Sequence, residues 1–399
     1  METGDLALHQ DVTRGRRAGA CVVATVLALS LIVVAPQQAW AAPRVTIHAT
    51  RARVTFGGSV KLFGRIRPAA RGDIVRIVDA RGREWGRDRT DRDGRYSVSV
   101  SPRRRTRYRA RWRGRSSPVQ RVSVRPRIRV RLKRVRLFGR ARVRGVVHPG
   151  HRGATVTVRL FRNGRVARKR RVALRGWRYS TRFRIGRPGS YRARATFDDH
   201  DHLPARDRSA RRQTRLPSLT TRSRGGYVKR LERRLAKLGY LLKRINRNYD
   251  FRTADAVRAF HKVQGRERRH TVDEWTWRAL ARPKRLRPRA RRPRFHIEID
   301  QTKQVLFTVR RGRVRRIIHT STGRGGITRD GVWRVFRKVR GYSPGRLYYP
   351  SYFDGLRAIH GWPSVPTSAA SHGCARVPMW TAKWIFRRAP IGTRVRIYH

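Results

Sequence analysis

Ala358-Ile359-His360-Gly361, a short polar loop, and then Ser371-His372-Gly373-Cys374-Ala375-Arg376 form the stretch around which this 399-residue chain can be read. Cys374 is one of only two cysteines. The other, Cys21, sits in an apolar N-terminal run with the form of a removable export signal, so the mature chain is expected to hold one thiol with no partner of its own. An unpaired cysteine in an exported protein is a candidate nucleophile. Its thiol needs a base to attack at neutral pH, and His360 and His372 are both near in sequence. Adjacency alone favours His372. No aspartate or glutamate lies between His360 and Cys374, and the nearest upstream is Asp354. A second chemistry uses the same residues: His360, His372 and Cys374 could supply three zinc ligands. Neither a Cys-x-x-Cys pair nor a carboxylate accompanies them.

Working outward, Phe295, Ile297 and Ile299 alternate with His296, Glu298 and Asp300, and Val305, Phe307 and Val309 alternate after a turn. Period-two alternation of this kind predicts strands with one buried face. Arg311-Gly312 opens another turn into Val314, Ile317 and Ile318. Only Trp380 to Arg387 reads as a clear helix. The segment is therefore mostly β, with the cysteine loop between its late strands and that helix.

This set, His360-Gly361 with Ser371-His372-Gly373-Cys374-x-Arg376, resembles the signature of the L,D-transpeptidase (YkuD-type) catalytic domain, whose members cross-link bacterial peptidoglycan. The likeness extends over 294–399 through Thr320-Ser321-Thr322-Gly323, Asp330-Gly331-Val332-Trp333, Leu347-Tyr348-Tyr349-Pro350-Ser351-Tyr352-Phe353 and Pro390-Ile391-Gly392-Thr393. The resemblance implies Cys374 as nucleophile and His360 as base, with the imidazole paired to a backbone carbonyl at Gly361. It gives His372 a shaping role beside the substrate. The oxyanion is expected to meet the backbone N–H groups of His372, Gly373 and Cys374. Ser371, Arg376, Tyr349 and Tyr352 are expected at the substrate cleft. Ser371 also reads as a hydrogen-bonding residue of the loop. Arg376 suits a substrate carboxylate or a structural salt bridge. Tyr349 and Tyr352, like Tyr348 and Phe353, also suit a core. The implied reaction attacks the third stem residue, expels D-alanine and passes the acyl group to a side-chain amine, forming a 3→3 cross-link. It requires no nucleotide, metal or other cofactor. Peptidoglycan stem peptides and glycan are the implied partners, and carbapenem-type β-lactams the implied covalent inhibitors. Water as acceptor (L,D-carboxypeptidase activity) or a protein amine stays open.

Upstream, 283–293 is dense in arginine and proline and is expected to be an extended, solvated linker. Residues 216–282 carry helical periodicity: Val228, Leu231, Leu235 and Leu238 stopped by Gly239, then Ala256, Val257, Phe260 and Val263 after a cap at Thr253. A capping box at Thr271-Val272-Asp273-Glu274 precedes Trp277 and Leu280. This three-helix stretch resembles a peptidoglycan-binding domain through Leu238-Gly239-Tyr240, Thr253-x-x-Ala256-Val257-x-x-Phe260 and Val272-Asp273. His261 departs from the family's glutamine and reads as a polar helix residue. Between Pro43 and Arg215 the chain reads as short strands in two copies. Gly58, Gly64 and Pro68 match Gly139, Gly145 and Pro149, and Tyr96-Ser97 matches Tyr179-Ser180. Each copy, 42–126 and 127–215, is about eighty residues, near the size of an immunoglobulin-like β-sandwich. Residues 1–41 complete the plan as a signal peptide. The expected fold is thus multidomain and mainly β: two sandwiches, a small helical bundle and a mostly β catalytic domain.

Lysine and arginine total 101 against 23 acids, a formal charge of +78. Such a surface attracts polyanions, and anionic wall polymers are the expected partner. No nucleic-acid reader motif is present, and export would remove the chain from chromosomal DNA. A non-catalytic cationic wall protein is the competing class of function. Arginine drift on solvated faces is the plainer account of the charge. The expected location is extracytoplasmic, at the cell wall, either secreted after cleavage or held by the N-terminal run as an uncleaved membrane anchor.

Overall fold

In the computed structural model, residues 43–399 are described apart from Arg152; the export-signal reading of 1–41 and Cys21 lie outside them. Alternation decides the first sandwich. Strand Thr106–Trp112 buries Tyr108, Ala110 and Trp112 and sends Arg107, Arg109 and Arg111 outward. Its six-stranded sheet faces a four-stranded one centred on Val60–Arg67, and Leu62, Ile66, Val75 and Val124 fill the space between. The second sandwich sets a three-stranded sheet (Arg127–Leu132, Arg140–His148 and Arg178–Arg184) against a five-stranded one around Val143, Val158, Phe183 and Phe197. A loop of the second sandwich binds the first: Arg105 N–H donates to Asp201 O (2.7 Å) and Leu203 N–H to Val124 O (2.8 Å).

The repeated glycine and tyrosine turn out to be one device. Gly64 stands opposite Tyr96 and Gly145 opposite Tyr179 in the strand register. Each tyrosine hydroxyl passes over its glycine to a backbone carbonyl at the start of its copy, Thr46 O just after the opening strand in one and Arg129 O (2.8 Å) on the opening strand in the other. A Cβ on Gly145 would lie 2.0 Å from Arg129 O and 2.2 Å from the Tyr179 hydroxyl. Gly145→Ala should therefore cost about 1–3 kcal/mol, as overpacking does. Gly186→Ala, where a Cβ would meet nothing within 4 Å, should leave the melting temperature of the full chain nearly unchanged. Equal melting shifts for the two would remove this account of the repeat.

Helices α1 (Gly226–Leu238), α2 (Phe251–Gln264) and α3 (Glu274–Ala281) form the small bundle. Gly239 ends α1 in the left-handed conformation (φ 96°). The cap of α2 is Asp250, whose side chain accepts the Thr253 N–H at 2.9 Å; Thr253, expected as the cap, is buried within the first turn. A carboxylate satisfies that orphan amide better than a threonine already inside the helix. At α3, Asp273 is the cap and pairs reciprocally with Thr276. His261 is fully buried and joins Arg269 O to the Thr276 hydroxyl, both at 2.9 Å. Among the described residues no helix is long and apolar enough to cross a membrane.

The C-terminal domain pairs a five-stranded sheet, with Phe295–Asp300 at its centre, with a four-stranded sheet containing Tyr348–Asp354, Arg357–Trp362 and Ala375–Pro378. Helix α4 (Met379–Arg388) packs on the latter. Ile297, Ile299, Ile359, Val377, Ile385 and Val395 share its core. The bundle is no separate bead. Val257 and Phe260 share one core with Val305, Phe307 and Val309 on the outer face of the five-stranded sheet. The Arg/Pro linker lacks regular structure, as its composition implies, yet it is tied down rather than freely solvated. The buried Glu298 carboxylate accepts the Arg289 and Ala290 N–H groups at 2.9 and 3.0 Å, and the Arg289 guanidinium lies 3.8 Å from the Tyr398 ring centre.

Candidate active site

Strand Arg357–Trp362 runs parallel to Ala375–Pro378, with Ile359 opposite Ala375 and His360 opposite Arg376. This pairing brings Cys374, one residue before the second strand, beside the first. The Ala358 N–H points at Cys374 Sγ from 3.4 Å. His360 is buried, and its Nδ1 lies 2.9 Å from Gly361 O. A carbonyl there requires the proton on Nδ1, so Nε2 carries the free lone pair. Trp362 meets the imidazole edge to face, with ring centres 5.6 Å apart. Gly361 has to be glycine: a Cβ would sit 2.9 Å from both Ala382 Cβ and Tyr348 Cδ1.

The electrostatics set the resting state. Burial lowers the His360 pKa to about 4, with the Gly361 carbonyl opposing and Arg376 assisting. Burial raises the Cys374 thiol, against the Ala358 N–H and the charges of Arg376 and Arg357. At neutral pH both groups rest uncharged. The resting site therefore holds no preformed thiolate–imidazolium pair.

The structure separates the two histidines that adjacency had confused. His372 is exposed, whereas His360 is buried and fixed. Ser371 is buried, with its hydroxyl donating to Cys374 O (2.5 Å) and accepting the Gly373 N–H (3.1 Å). That occupation takes Gly373 out of the expected trio of oxyanion donors and leaves the His372 and Cys374 amides. Gly373 adopts φ 118°, and a Cβ would lie 2.8 Å from Arg357 Nε. Its carbonyl accepts the buried Thr328 hydroxyl at 2.8 Å. Arg376 donates to Ala370 O (3.1 Å) and lies 4.9 Å from the Trp362 ring centre. No carboxylate pairs with it among the described residues, so the salt-bridge alternative is not what its surroundings provide. Tyr352 is buried with the Arg337 guanidinium 4.2 Å from its ring centre, and Tyr349 packs edge-on against Phe386 of α4 at 5.1 Å.

Four residues carried no visible signal in sequence: Thr328, Arg357, His319 and Lys262. Arg357 pairs with Asp354 (2.8 Å) and donates to Ile327 O. Lys262, on α2, is fully buried and reaches His319 Nδ1 (2.7 Å), Thr320 O (2.8 Å) and Gln304 O (2.9 Å). Three ammonium protons meet three acceptors, while burial pushes both Lys262 and His319 well below their usual pKa ranges. His319 Nε2 in turn holds Val365 O at 3.0 Å, on the loop between His360 and Cys374. The helical bundle thus grips the catalytic loop from behind. Lys262→Met should cost about 1–3 kcal/mol for each acceptor left unsatisfied in the interior. It should also slow acylation of Cys374. Unchanged melting temperature and acylation rate would show that the grip is dispensable.

Residues 294–397 match the family described as the L,D-transpeptidase catalytic domain (YkuD), and residues 224–280 match a peptidoglycan binding domain. The catalytic domain of this chain belongs to the YkuD family of L,D-transpeptidases, with a domain of the peptidoglycan-binding family in front of it. That membership makes the chain an acyl-transferring enzyme of the transpeptidase class. Among solved structures, an L,D-transpeptidase from Xylanimonas cellulosilytica is 36% identical over 46% of this chain and 98% of its own, with a TM-score of 0.44. One from Stackebrandtia nassauensis is 21% identical over 45% of this chain and 95% of its own (TM-score 0.30). One from Mycobacterium tuberculosis is 19% identical over 27% and 58% (TM-score 0.25). No curated protein sequence matches the chain.

Proposed function

We propose that this protein forms 3→3 peptidoglycan cross-links outside the cytoplasm through a Cys374 thioester, with His360 as the base. The observation that carries this reading is the buried His360, its Nδ1 tied to Gly361 O, on the strand that Cys374 abuts. Cys374 Sγ attacks the carbonyl of the third stem residue as its proton passes to His360 Nε2. The amides of Cys374 and His372 face the oxyanion. Collapse of the tetrahedral adduct breaks the bond to D-alanine, whose amine leaves with the proton from His360. A side-chain amine of a second stem then attacks the thioester, gives its proton to His360 and releases the thiol. The bond exchanged is a peptide bond for a peptide bond, so the chemistry needs no nucleotide. Arg376, with no acidic partner among the described residues, holds a substrate carboxylate, and Ser371 and Gly373 keep the loop in shape. Tyr349 borders the cleft, and the helical domain keeps the enzyme on glycan. Carbapenems acylate the same thiol.

Wall digests from cells with and without the gene test this reading. Loss of 3→3 dimers is the expected result. A dimer-free change, with only tripeptides lost, would transfer the activity to water as acceptor, and disappearance of wall-linked protein would point to a protein amine.

A further inference from the structure

The outer face of the three-stranded sheet in the second sandwich walls a cleft of about 1680 Å³. Alternation points Ala141, Val143 and Phe183 into the core and leaves Arg140, Arg142 and Arg144 on that face, beside Arg182 and Arg184 of the neighbouring strand. In the register Arg142 stands opposite Arg182, Arg140 opposite Arg184, and Arg131 opposite Arg144. Like charges set directly across a sheet repel and destabilise it. None of these guanidinium groups has an acidic partner among the described residues. The one acid lining the cleft, Asp207, already accepts the Val130 N–H (2.7 Å) and the Arg208 N–H (2.8 Å).

The twin sandwich supplies an internal comparison. Aligned on Gly64 with Gly145 and on Tyr96 with Tyr179, the first copy carries Ser59, Lys61, Phe63, Ser99 and Ser101 where the second carries Arg140, Arg142, Arg144, Arg182 and Arg184. The two copies thus place their arginines on different sheets, since the first sets Arg76 opposite Arg111 and Arg107 opposite Arg121 on its six-stranded sheet. The three-stranded sheet bears a repulsion that a bound anion would remove.

We propose that this cleft docks a linear phosphodiester polymer of the cell wall, a polyol-phosphate chain. Guanidinium groups fork onto phosphate oxygens with two hydrogen bonds, a geometry lysine cannot offer. Neighbouring strands are about 4.8 Å apart, and same-face residues two positions apart along a strand are separated by about 6.6–6.8 Å. The arginines therefore form a grid suited to a repeating charge rather than to one ion. Among the described residues lining the cleft, the one exposed aromatic ring, Trp177, is already engaged by its neighbours. Trp177 is stacked by His148 (5.0 Å) and lies under the Arg178 guanidinium (4.1 Å), and Tyr179 is buried. Nucleic-acid strands are bound through such stacking platforms. The placement at the wall rests on the extracytoplasmic reading above; the anion site itself does not.

The test uses the full chain and a fluorescent poly(glycerol phosphate) probe at near-physiological salt. Changing Arg140, Arg142, Arg182 and Arg184 to Gln should weaken binding by about tenfold or more, since bound phosphates release counterions one by one. Changing Arg107, Arg109, Arg111 and Arg121 to Gln removes the same charge from an exposed sheet face of the first sandwich and should cost well under half of that, on a logarithmic scale. Equal losses would show attraction by net charge alone and overturn the site. Poly-glutamate binding as tightly as the phosphate polymer, or single-stranded DNA binding more tightly, would overturn the ligand class. The cleft variant should melt no lower than the parent, because repulsion has been removed, and a lower melting temperature would contradict that premise. Acyl transfer between soluble stem peptides should be unchanged in both variants, so loss of the docking site leaves the transpeptidase reading standing.

Discussion

Cys374→Ala is expected to abolish acyl transfer, lowering the rate by at least about 10,000-fold, the scale at which removal of a nucleophile acts on its own. The reason is that no other group can take its place. Ser371, the nearest hydroxyl in the loop, is bonded at both its donor and acceptor positions to the loop backbone. Sγ makes only long contacts, 3.4 Å from the Ala358 N–H and 3.8 Å from Leu356 O. Its removal should therefore leave the melting temperature within a degree or so, as is usual away from a packed core. The measurement is mass spectrometry of purified enzyme with a tetrapeptide donor, followed by intact-mass detection of a carbapenem adduct. Dimer formation within tenfold of the parent would end the thioester mechanism.

His360→Gln should slow acylation by about 100- to 10,000-fold, the range that general-base groups contribute. Glutamine keeps much of the volume but has no basic nitrogen for the thiol proton. His372→Ala should cost far less, because that ring is exposed and does not hold the proton. The pH profile separates the two more sharply. His360 is held at about 4 by burial, so the acylation rate should fall as pH drops through about 4 and be flat through the range where an ordinary exposed histidine titrates. An acid limb that His372→Ala removes and His360→Gln leaves in place would reverse the assignment. Stability follows with a definite sign. The folded protein binds the His360 proton less readily than the unfolded chain, so this residue's contribution is full above about pH 6.5 and declines as pH falls toward 4. Both variants should fold, since each leaves the Gly361 backbone and the α4 contact in place.

Much of this was readable in the order of residues. Tyr96 and Tyr179, with their glycines, announced a repeated unit, although the hydrogen bond over each glycine needed the sheet to be seen. Val228 to Leu238 with Gly239 marked α1, and the Cys374 motif marked the catalytic domain. Four expectations moved once the chain was folded, the first being the cap of α3, which went from Thr271 to Asp273. The cap of α2 went from Thr253 to Asp250, because capping depends on which side chain reaches the orphan amide. The linker was pinned by Glu298, a carboxylate that looked like one more outward residue of an alternating strand. Gly373 lost its place among the oxyanion donors to the Ser371 hydroxyl.

What the sequence by itself determined were the features written in short-range spacing: alternating strands, helical stripes, turn glycines, and the succession of His360, His372 and Cys374. Period and turn chemistry are set by local backbone geometry, so they survive reading without a fold. The tertiary structure decided which histidine is buried and held by a backbone carbonyl, that thiol and imidazole rest neutral, and that Lys262 reaches from the helical bundle toward the loop between His360 and Cys374. Each of those depends on desolvation and on acceptors from distant parts of the chain. Such surroundings exist only after packing has brought the strands and helices together.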